Sequence, residues 1–149
     1  MVSLYDIILV EITERQVKSY KEIKAMNREK LKKFIMDNYS IEPDYPWIKY
    51  PNYEVFRHSN NKKWFAVIMD LSKDKLGLSE TEVLDVVNLK CEPILIGSLL
   101  REKGFFSAYH MNKENWITVA LDGSISDEKI KILLDMSYEA TKSKIHKKN

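Results

Sequence analysis

The side chains best suited to chemistry or binding lie between Gly104 and Trp116. The sequence G-F-F-S-A-Y-H-M-N-K-E-N-W places His110, Asn112 and Lys113 beside aromatic residues. An imidazole can act as a general base or bind a metal, and amide and ammonium groups can hold phosphate oxygens. Each of these roles requires partner residues. Without partners, we expect His110 to be a structural or surface residue.

The sequence does not supply the partners that catalysis would require. The other histidines, His58 and His146, are expected at a hairpin edge and in a terminal tail. Cys91 is the single cysteine, which excludes an internal disulfide, and its place on the apolar track of a strand predicts a buried hydrophobe rather than a nucleophile for His110. No H-E-x-x-H, G-x-S-x-G or glycine-rich phosphate loop occurs. We therefore expect a protein that is not an enzyme, with no cofactor and no metal site.

Lys90 joins this group of residues if the strand that ends there lies beside the loop before Trp116. Lys90 and Lys113 would then hold phosphate oxygens, Asn112 would donate a hydrogen bond, and Trp116 would stack on a base or pack in the core. In the alternative, Asn112 caps a turn, Lys113 is solvated and Trp116 belongs to the core. The residues alone leave both interpretations open, although we expect Trp116 to be mainly structural. A small-molecule-binding protein, or an enzyme, with a pocket beside His110 and Trp116 is the main rival to a nucleic-acid surface.

A second positively charged region lies near the N-terminus. Positions 15–33 hold eight Lys or Arg residues and two Glu residues, which gives six net positive charges. Lys18, Lys21 and Lys24 recur every three residues along a helix predicted over 13–26. Because the whole chain carries a net charge of only +2, any affinity for nucleic acid must come from this uneven distribution. A run of lysines is also typical of a solvated helix face.

The surrounding elements predict one α+β domain, an antiparallel sheet flanked by N- and C-terminal helices, with the sheet covered mainly on one face and the other face mainly exposed. A chain of 149 residues is the size of a single domain. Strands are predicted at 53–58, 63–71, 83–91 and 116–121, with a further one at 105–110. Helices are predicted at 4–12, at 13–26, after an Asn27 cap, at 93–103 with Gly104 as its cap, and from Ser126.

The connection over 41–53 contains three of the four prolines and is expected to be irregular but packed. No segment approaches the roughly 20 uncharged apolar residues of a membrane span. The first residues also lack the basic start and long apolar run of a signal peptide. We therefore expect a cytoplasmic protein without a membrane partner.

Several motifs together resemble the MmcQ/YjbR family. They are L-K-C-E-P at 89–93, Gly104 followed by Y-H-M-N-K at 109–113 and then Trp116, L-D-G at 121–123, and S-Y-E at 137–139 in the terminal helix. V-F-R-H and K-W-F-A in the preceding hairpin also fit the family. The likeness covers residues 28–143, which leaves 1–27 as an N-terminal helical extension and 144–149 as a basic tail.

The resemblance implies a fold similar to that of the frataxin homologue CyaY and DNA binding through a "double wing" arrangement. Asn115 stands where family members commonly have histidine, which argues against a role for two imidazoles. A frataxin-like iron role is disfavoured because the N-terminal helices are net basic where frataxins carry an acidic ridge. The resulting hypothesis is weak DNA binding with little sequence preference. Its phosphate contacts are expected from Lys90, His110, Asn112, Lys113, Lys18, Lys21 and Lys24.

Overall fold

The fold is a five-stranded antiparallel sheet in the strand order β1-β2-β3-β5-β4, with helices packed on one face. It was obtained as a computed structural model, which describes residues 25–144 and residue 16. The described helices are α1 (Arg28–Tyr39), α2 (Pro93–Leu99) and α3 (Asp127–Thr141), and a 3₁₀ helix spans Lys73–Leu76. The strands are β1 (Glu54–Arg57), β2 (Trp64–Ser72), β3 (Val83–Lys90), β4 (Phe105–Ser107) and β5 (Trp116–Ala120). The predicted α+β class and antiparallel pairing are confirmed.

The hairpin between β1 and β2 confirms the sequence prediction closely. Its turn contains one residue with a positive φ, and that residue is Lys62 (φ 63°) rather than one of the neighbouring asparagines. Asn61 supports the turn, because its Oδ1 accepts a hydrogen bond from the backbone N–H of Lys63 at 2.9 Å. The turn therefore directs Lys63 and Trp64 into the start of β2.

Two predicted elements are shorter than expected. The helix predicted at 93–103 ends at Leu99, because Gly97 and Ser98 are weak helix formers and the backbone N–H groups of Arg101 and Glu102 bond carbonyls three residues back. Gly104 is therefore no helix cap, although its φ of 94° is positive. The strand predicted at 105–110 ends at Ser107, since the backbone N–H of Tyr109 bonds the Thr118 hydroxyl instead of a strand carbonyl.

Side chains at the starts of α1 and α3 cap each helix and link the two starts to each other. Asn27 Oδ1 accepts from the backbone N–H of Lys30 at 2.9 Å, as predicted for the cap of α1. Ser126 caps α3, and the Asp127 carboxylate accepts from the backbone N–H of Met26 at 2.8 Å. The helix predicted at 4–12, most of the one at 13–26, and the tail from 145 lie outside the described residues.

The helix-covered face of the sheet holds the larger apolar core. α1 and α3 contribute side chains spaced three and four residues apart, as an amphipathic helix requires. The fully buried members from helices and sheet include Leu31, Ile35, Phe56, Phe65, Ile68, Leu89, Ile117, Ile130 and Leu134.

The opposite face of the sheet is also covered, which corrects the expectation that one face is mainly exposed. Val55, Val67 and Val86 are buried there beneath the irregular segment 41–53 and the connection between β4 and β5. Prolines prevent the first of these segments from forming a helix or a strand, so its aromatic side chains are free to pack across the sheet. The candidate site lies on this helix-free face.

Candidate functional site

Lys90 and Trp116 are direct neighbours, as the sequence analysis required for a shared site. They are paired residues of β3 and β5, and Lys90 Nζ lies 5.9 Å from the centre of the Trp116 ring. Trp64 begins the adjacent strand β2. A depression of about 310 Å³ is lined by Lys63, Trp64, Lys90, Met111 and Trp116, next to the end of α3. We refer to these five residues as the lysine-tryptophan surface.

His110 lies in a separate concavity on the same face. This cavity of about 300 Å³, here called the aromatic cavity, is bounded by three parts of the chain. The segment before β1 contributes three aromatic rings, the sheet contributes its floor, and the β4–β5 connection contributes the remaining wall. The lining residues are Trp47, Tyr50, Tyr53, Trp64, Val67, Met69, Asn88, Tyr109, His110 and Met111. Trp116 does not line it.

A buried polar network fixes the wall that contains His110. Asn88 and Thr118 are both fully buried, and the Thr118 hydroxyl donates to Asn88 Oδ1 at 2.5 Å. Asn88 Nδ2 donates to the backbone carbonyl of Tyr109 at 2.9 Å, and Thr118 Oγ1 accepts from the Tyr109 N–H at 3.1 Å. Tyr109 is thus held at both its backbone groups, which places His110 with a positive φ of 59° at the rim.

Aromatic contacts give the cavity rigid sides. Tyr50 stacks on Tyr53 with ring centres 4.7 Å apart, and the Trp47 ring meets Trp64 edge to face at 5.5 Å. Burial, together with the nearby Tyr109 phenol and Asp70 carboxylate, raises the pKa of Tyr53 to about 12. Tyr53 is therefore a neutral phenol at physiological pH, with a hydroxyl group able to donate a hydrogen bond.

Asn112 and Lys113 serve the conformation of their own loop. Asn112 Oδ1 accepts from the backbone N–H of Glu114 at 2.8 Å, and its carbonyl accepts from the N–H of Trp116 at 3.0 Å. Lys113 Nζ donates to the carbonyl of Ala108 at 3.2 Å, which leaves two ammonium protons for other acceptors. Asn112 caps a turn, as one of the two sequence interpretations predicted.

The remaining chemical candidates are structural. Cys91 is buried, and burial raises the pKa of its thiol, which disfavours a thiolate nucleophile. His58 follows the edge strand β1 in the β1–β2 hairpin, as predicted, but its ring is buried there. This ring is only 4% exposed, contacts Phe65 and Tyr138, and pairs its Nε2 with the Thr141 hydroxyl at 2.9 Å, because α3 closes over the end of β1.

Carboxylates already pair with part of the positive charge over positions 15–33. Glu54, whose side chain is 5% exposed, lies 3.0 Å from both Arg28 and Lys32. Lys33 pairs with Asp37 at 2.6 Å. Lys18, Lys21 and Lys24, which were predicted to contact phosphates, lie outside the described residues.

No described helix is long and apolar enough to cross a membrane. Within residues 25–144, no cluster of three or more His, Cys, Asp or Glu side chains is arranged to hold a metal ion. A wider groove of about 750 Å³ runs beside the end of α3 and reaches Lys144, where the described segment ends. We assign no site to this groove.

Most residues of the aromatic cavity were not predicted from the sequence. Asn88 and Thr118 were recognisable only as polar residues within largely apolar strands. The aromatic residues over 41–53 indicated packing, but not the surface against which they pack. Lys63 had no signal beyond its charge, because only the fold brings it to Lys90.

Comparisons with known proteins bear on the family of this chain. The family model described as YjbR matches residues 36–140. The uncharacterised Bacillus subtilis protein YyaQ is 39% identical over 117 residues, which cover 78% of this chain and 99% of that protein. The uncharacterised Escherichia coli K12 protein YjbR is 41% identical over 64 residues, 42% of this chain and 53% of that protein.

A solved structure agrees with the fold described above. The crystal structure of a Pseudomonas syringae protein is 44% identical in sequence and superposes with a TM-score of 0.77, covering 78% of this chain and all of that chain (100%). The family match and this similarity confirm the resemblance inferred from the Y-H-M-N-K motif and its flanking residues. The chain therefore belongs to the YjbR family.

Proposed function

We propose that the protein binds DNA weakly and with little sequence preference, through phosphate contacts on the lysine-tryptophan surface. Lys63 and Lys90 carry the central contacts, and Lys113 with its two remaining ammonium protons adds a third. His110 and Asn112 border this surface in the same connection. Lys18, Lys21 and Lys24 supply further positive charge in this proposal.

The observation that supports the proposal most directly is that Lys63 and Lys90 lack a carboxylate partner within the described part of the chain. Among the residues that the structure describes, no Asp or Glu forms an ion pair with either side chain, whereas Arg28, Lys32 and Lys33 all have carboxylate partners. Two half-buried indole rings lie beside these two lysines. An ammonium group without a carboxylate partner beside an aromatic ring suits a nucleic acid, which carries negatively charged phosphates next to bases that can stack.

The connections that flank the lysine-tryptophan surface fit the double-wing arrangement implied by the family resemblance. Residues 58–63 join β1 to β2, and residues 108–115 join β4 to β5 at the same end of the sheet. In the proposed complex these two connections contact the phosphate backbone on either side of Lys90. Contacts to base edges contribute little to this binding. Arginine is the side chain that most often reads bases, and Arg28 of α1 is already paired with Glu54 and Asp85.

The role that we propose is binding rather than catalysis, in the cytoplasm. The buried, unpaired Cys91 suits a reducing compartment, and its raised thiol pKa does not suit a nucleophile. The His110 ring contacts Tyr109 and has no side-chain hydrogen bond within the described residues. Turnover of any substrate that is lost in His110→Ala or Cys91→Ala would contradict this part of the proposal.

Titration of duplex DNA at several salt concentrations tests the proposal. The affinity should fall as salt rises, with a logarithmic slope of about 0.9 for each phosphate contacted. Lys63→Ala/Lys90→Ala should reduce that slope by about 1.8. The matched control is Lys75→Ala/Lys103→Ala, which removes the same charge from exposed positions at the opposite end of the sheet. Absence of wild-type binding at low salt, or equal losses in the two double variants, would remove the proposal.

A second candidate function is the binding of a small molecule, and one observation favours it. The aromatic cavity beside His110 has a volume of about 300 Å³, which is within the range of small-ligand pockets. Native mass spectrometry of purified protein would test this candidate. A bound mass that disappears on denaturation supports it, and protein that carries no added mass at any stage counts against it.

A further inference from the structure

The aromatic cavity and the lysine-tryptophan surface adjoin on the helix-free face. Trp64 and Met111 line both of them. On one side of these two residues lies an aromatic enclosure, and on the other lie Lys63 and Lys90. A ligand that occupied both would need a flat apolar part joined closely to a negatively charged part.

The aromatic cavity suits a flat ring more than an aliphatic chain. Trp47, Tyr50 and Trp64 present rigid aromatic surfaces, and the floor is formed by apolar side chains with one amide, Asn88. Rings of this kind stack favourably on heteroaromatic ligands.

The polar groups of the cavity can pair with a heteroaromatic ring. Asn88 uses one N–H and one acceptor position within its network, which leaves a second of each. Among the described residues, the hydroxyl groups of Tyr53 and Tyr109 make no hydrogen bond, and burial and neighbouring groups keep Tyr53 protonated. These groups offer donors and acceptors to a ring that has both.

We infer that the two concavities together form a site for one unpaired nucleotide, with its base in the aromatic cavity and its phosphate on Lys63 and Lys90. The phosphate half of the site rests on the proposed function, since it uses the same two lysines. The base half is independent of it. The nucleotide has two sources, a free mononucleotide or an unstacked nucleotide of a single strand, and both share this chemistry.

The inference sets an order of affinity for nucleic acids. A base inside the aromatic cavity cannot remain stacked and paired in a duplex, so a duplex must be opened before it can use the site. A single strand does not have this cost. At equal salt and length, we expect a thymidine oligonucleotide to bind about tenfold more tightly than the duplex.

The three tryptophans supply a direct test, since each indole N–H gives its own signal in a ¹H–¹⁵N spectrum. Trp47 and Trp64 line the aromatic cavity, and Trp116 lies outside it. Titration with adenosine 5′-monophosphate should shift the Trp47 and Trp64 signals with one shared dissociation constant. Adenosine should shift the same two signals with weaker affinity, because it lacks the phosphate.

Two variants separate the base half from the phosphate half. Lys63→Ala/Lys90→Ala should make adenosine 5′-monophosphate bind no better than adenosine. Tyr50→Ala, which removes a partly exposed stacking ring, should weaken both compounds about fivefold to tenfold. Ile48→Ala is the control in the same segment, because Ile48 is 99% exposed and does not line the cavity. The spectrum of each variant also reports whether it is folded.

The outcomes distinguish this inference from the proposed function. If neither the mononucleotides nor the single strand shifts Trp47 and Trp64, or if only Trp116 responds, the nucleotide site is overturned. Salt-dependent duplex binding in that case leaves the proposed function standing. If mononucleotides shift both signals and no DNA binds, the nucleotide site stands for free nucleotides and the proposed function falls.

Discussion

At the scale of single residues, Asn88 holds the candidate site together. Its amide accepts from the Thr118 hydroxyl and donates to the Tyr109 carbonyl, and its side chain is fully buried. A buried polar group is stabilising only while its partners are present. Loss of the amide would therefore weaken both the sheet face and the loop that carries His110.

We expect Asn88→Ala to lower the free energy of unfolding by about 2–3 kcal/mol, because it leaves the Tyr109 carbonyl and the Thr118 hydroxyl without this partner. Urea unfolding followed by tryptophan fluorescence measures the change. Asn60→Ala is the matched control, an exposed turn residue whose loss should cost less than about 0.5 kcal/mol. Equal costs for the two substitutions would show that the network does not stabilise the fold.

Asn88 also shows why the sequence reached only part of the site. Its alternation with Val87 and Leu89 correctly predicted a strand, and the same alternation places Asn88 on the opposite face of the sheet from these two side chains. The structure buries that side under segments distant in the chain. Local periodicity states which residues share a face, but it does not state what covers the face.

At the scale of elements, Glu54 joins α1 to the edge of the sheet. It lies at the start of β1 and accepts from Arg28, from Lys32 and, at 2.9 Å, from the Tyr45 hydroxyl. Burial alone would raise the pKa of Glu54, but the hydrogen bonds from these three side chains outweigh burial and lower it. The carboxylate is therefore the favoured form in the folded state.

This ion cluster predicts a pH dependence of stability. A carboxyl group with a lowered folded pKa stabilises the fold fully above its unfolded pKa of about 4.3, and loses that contribution as the pH falls through the folded value. Glu54→Gln should therefore cost about 2–3 kcal/mol at pH 7 and much less at pH 3. Urea unfolding of wild type and variant between these pH values measures the difference.

The control for this pH dependence is Glu42→Gln, an exposed residue outside the cluster. Its unfolding free energy should follow that of the wild type at every pH. A constant difference between wild type and Glu54→Gln from pH 7 to pH 3 would contradict the proposed role of the charged carboxylate.

The glycines around α2 provide a second prediction at this scale. Gly104 has a φ of 94°, and an added Cβ would lie 2.9 Å from the Ile125 side chain, so Gly104→Ala should destabilise the protein by about 2–3 kcal/mol. Gly97 lies within the exposed side of α2 with no atom within 4 Å of an added Cβ. Gly97→Ala should instead stabilise by about 0.5–1 kcal/mol. Thermal unfolding of both variants measures the signs, and a shared sign would contradict this account.

Elements differ in how well the sequence predicts them, for reasons visible at their ends. Asn27 and Ser126 were recognised as helix caps because cap chemistry is local. The end of α2 was predicted wrongly. Gly104 has the positive φ that is typical of a helix cap, but it lies close to Ile125 instead of capping α2. A positive φ describes the backbone conformation of a residue. Only its tertiary contacts show whether that conformation ends a helix or allows close packing.

At the scale of the whole molecule, the distribution of charge separates two basic regions. The net charge of the whole chain, only +2, does not reveal either basic region. In the segment over 15–33, Arg28, Lys32 and Lys33 pair with carboxylates, whereas Lys63 and Lys90 have no such partner among the described residues. The sequence correctly showed an excess of charge but could not show the pairing of Arg28 and Lys32 with Glu54, because Glu54 lies more than twenty positions from both.

Three lysines of the basic segment, Lys18, Lys21 and Lys24, lie outside the described residues. If the proposed DNA complex uses Lys18, Lys21 and Lys24, their replacement by alanine should lower the salt slope of duplex binding by about 2.7, a value that adds to the loss in Lys63→Ala/Lys90→Ala. Lys33→Ala is the control within the same basic segment. Its partner Asp37 already offsets its charge, and an exposed pair of this kind contributes little to stability. A triple variant with the wild-type slope would confine the DNA contacts to the helix-free face.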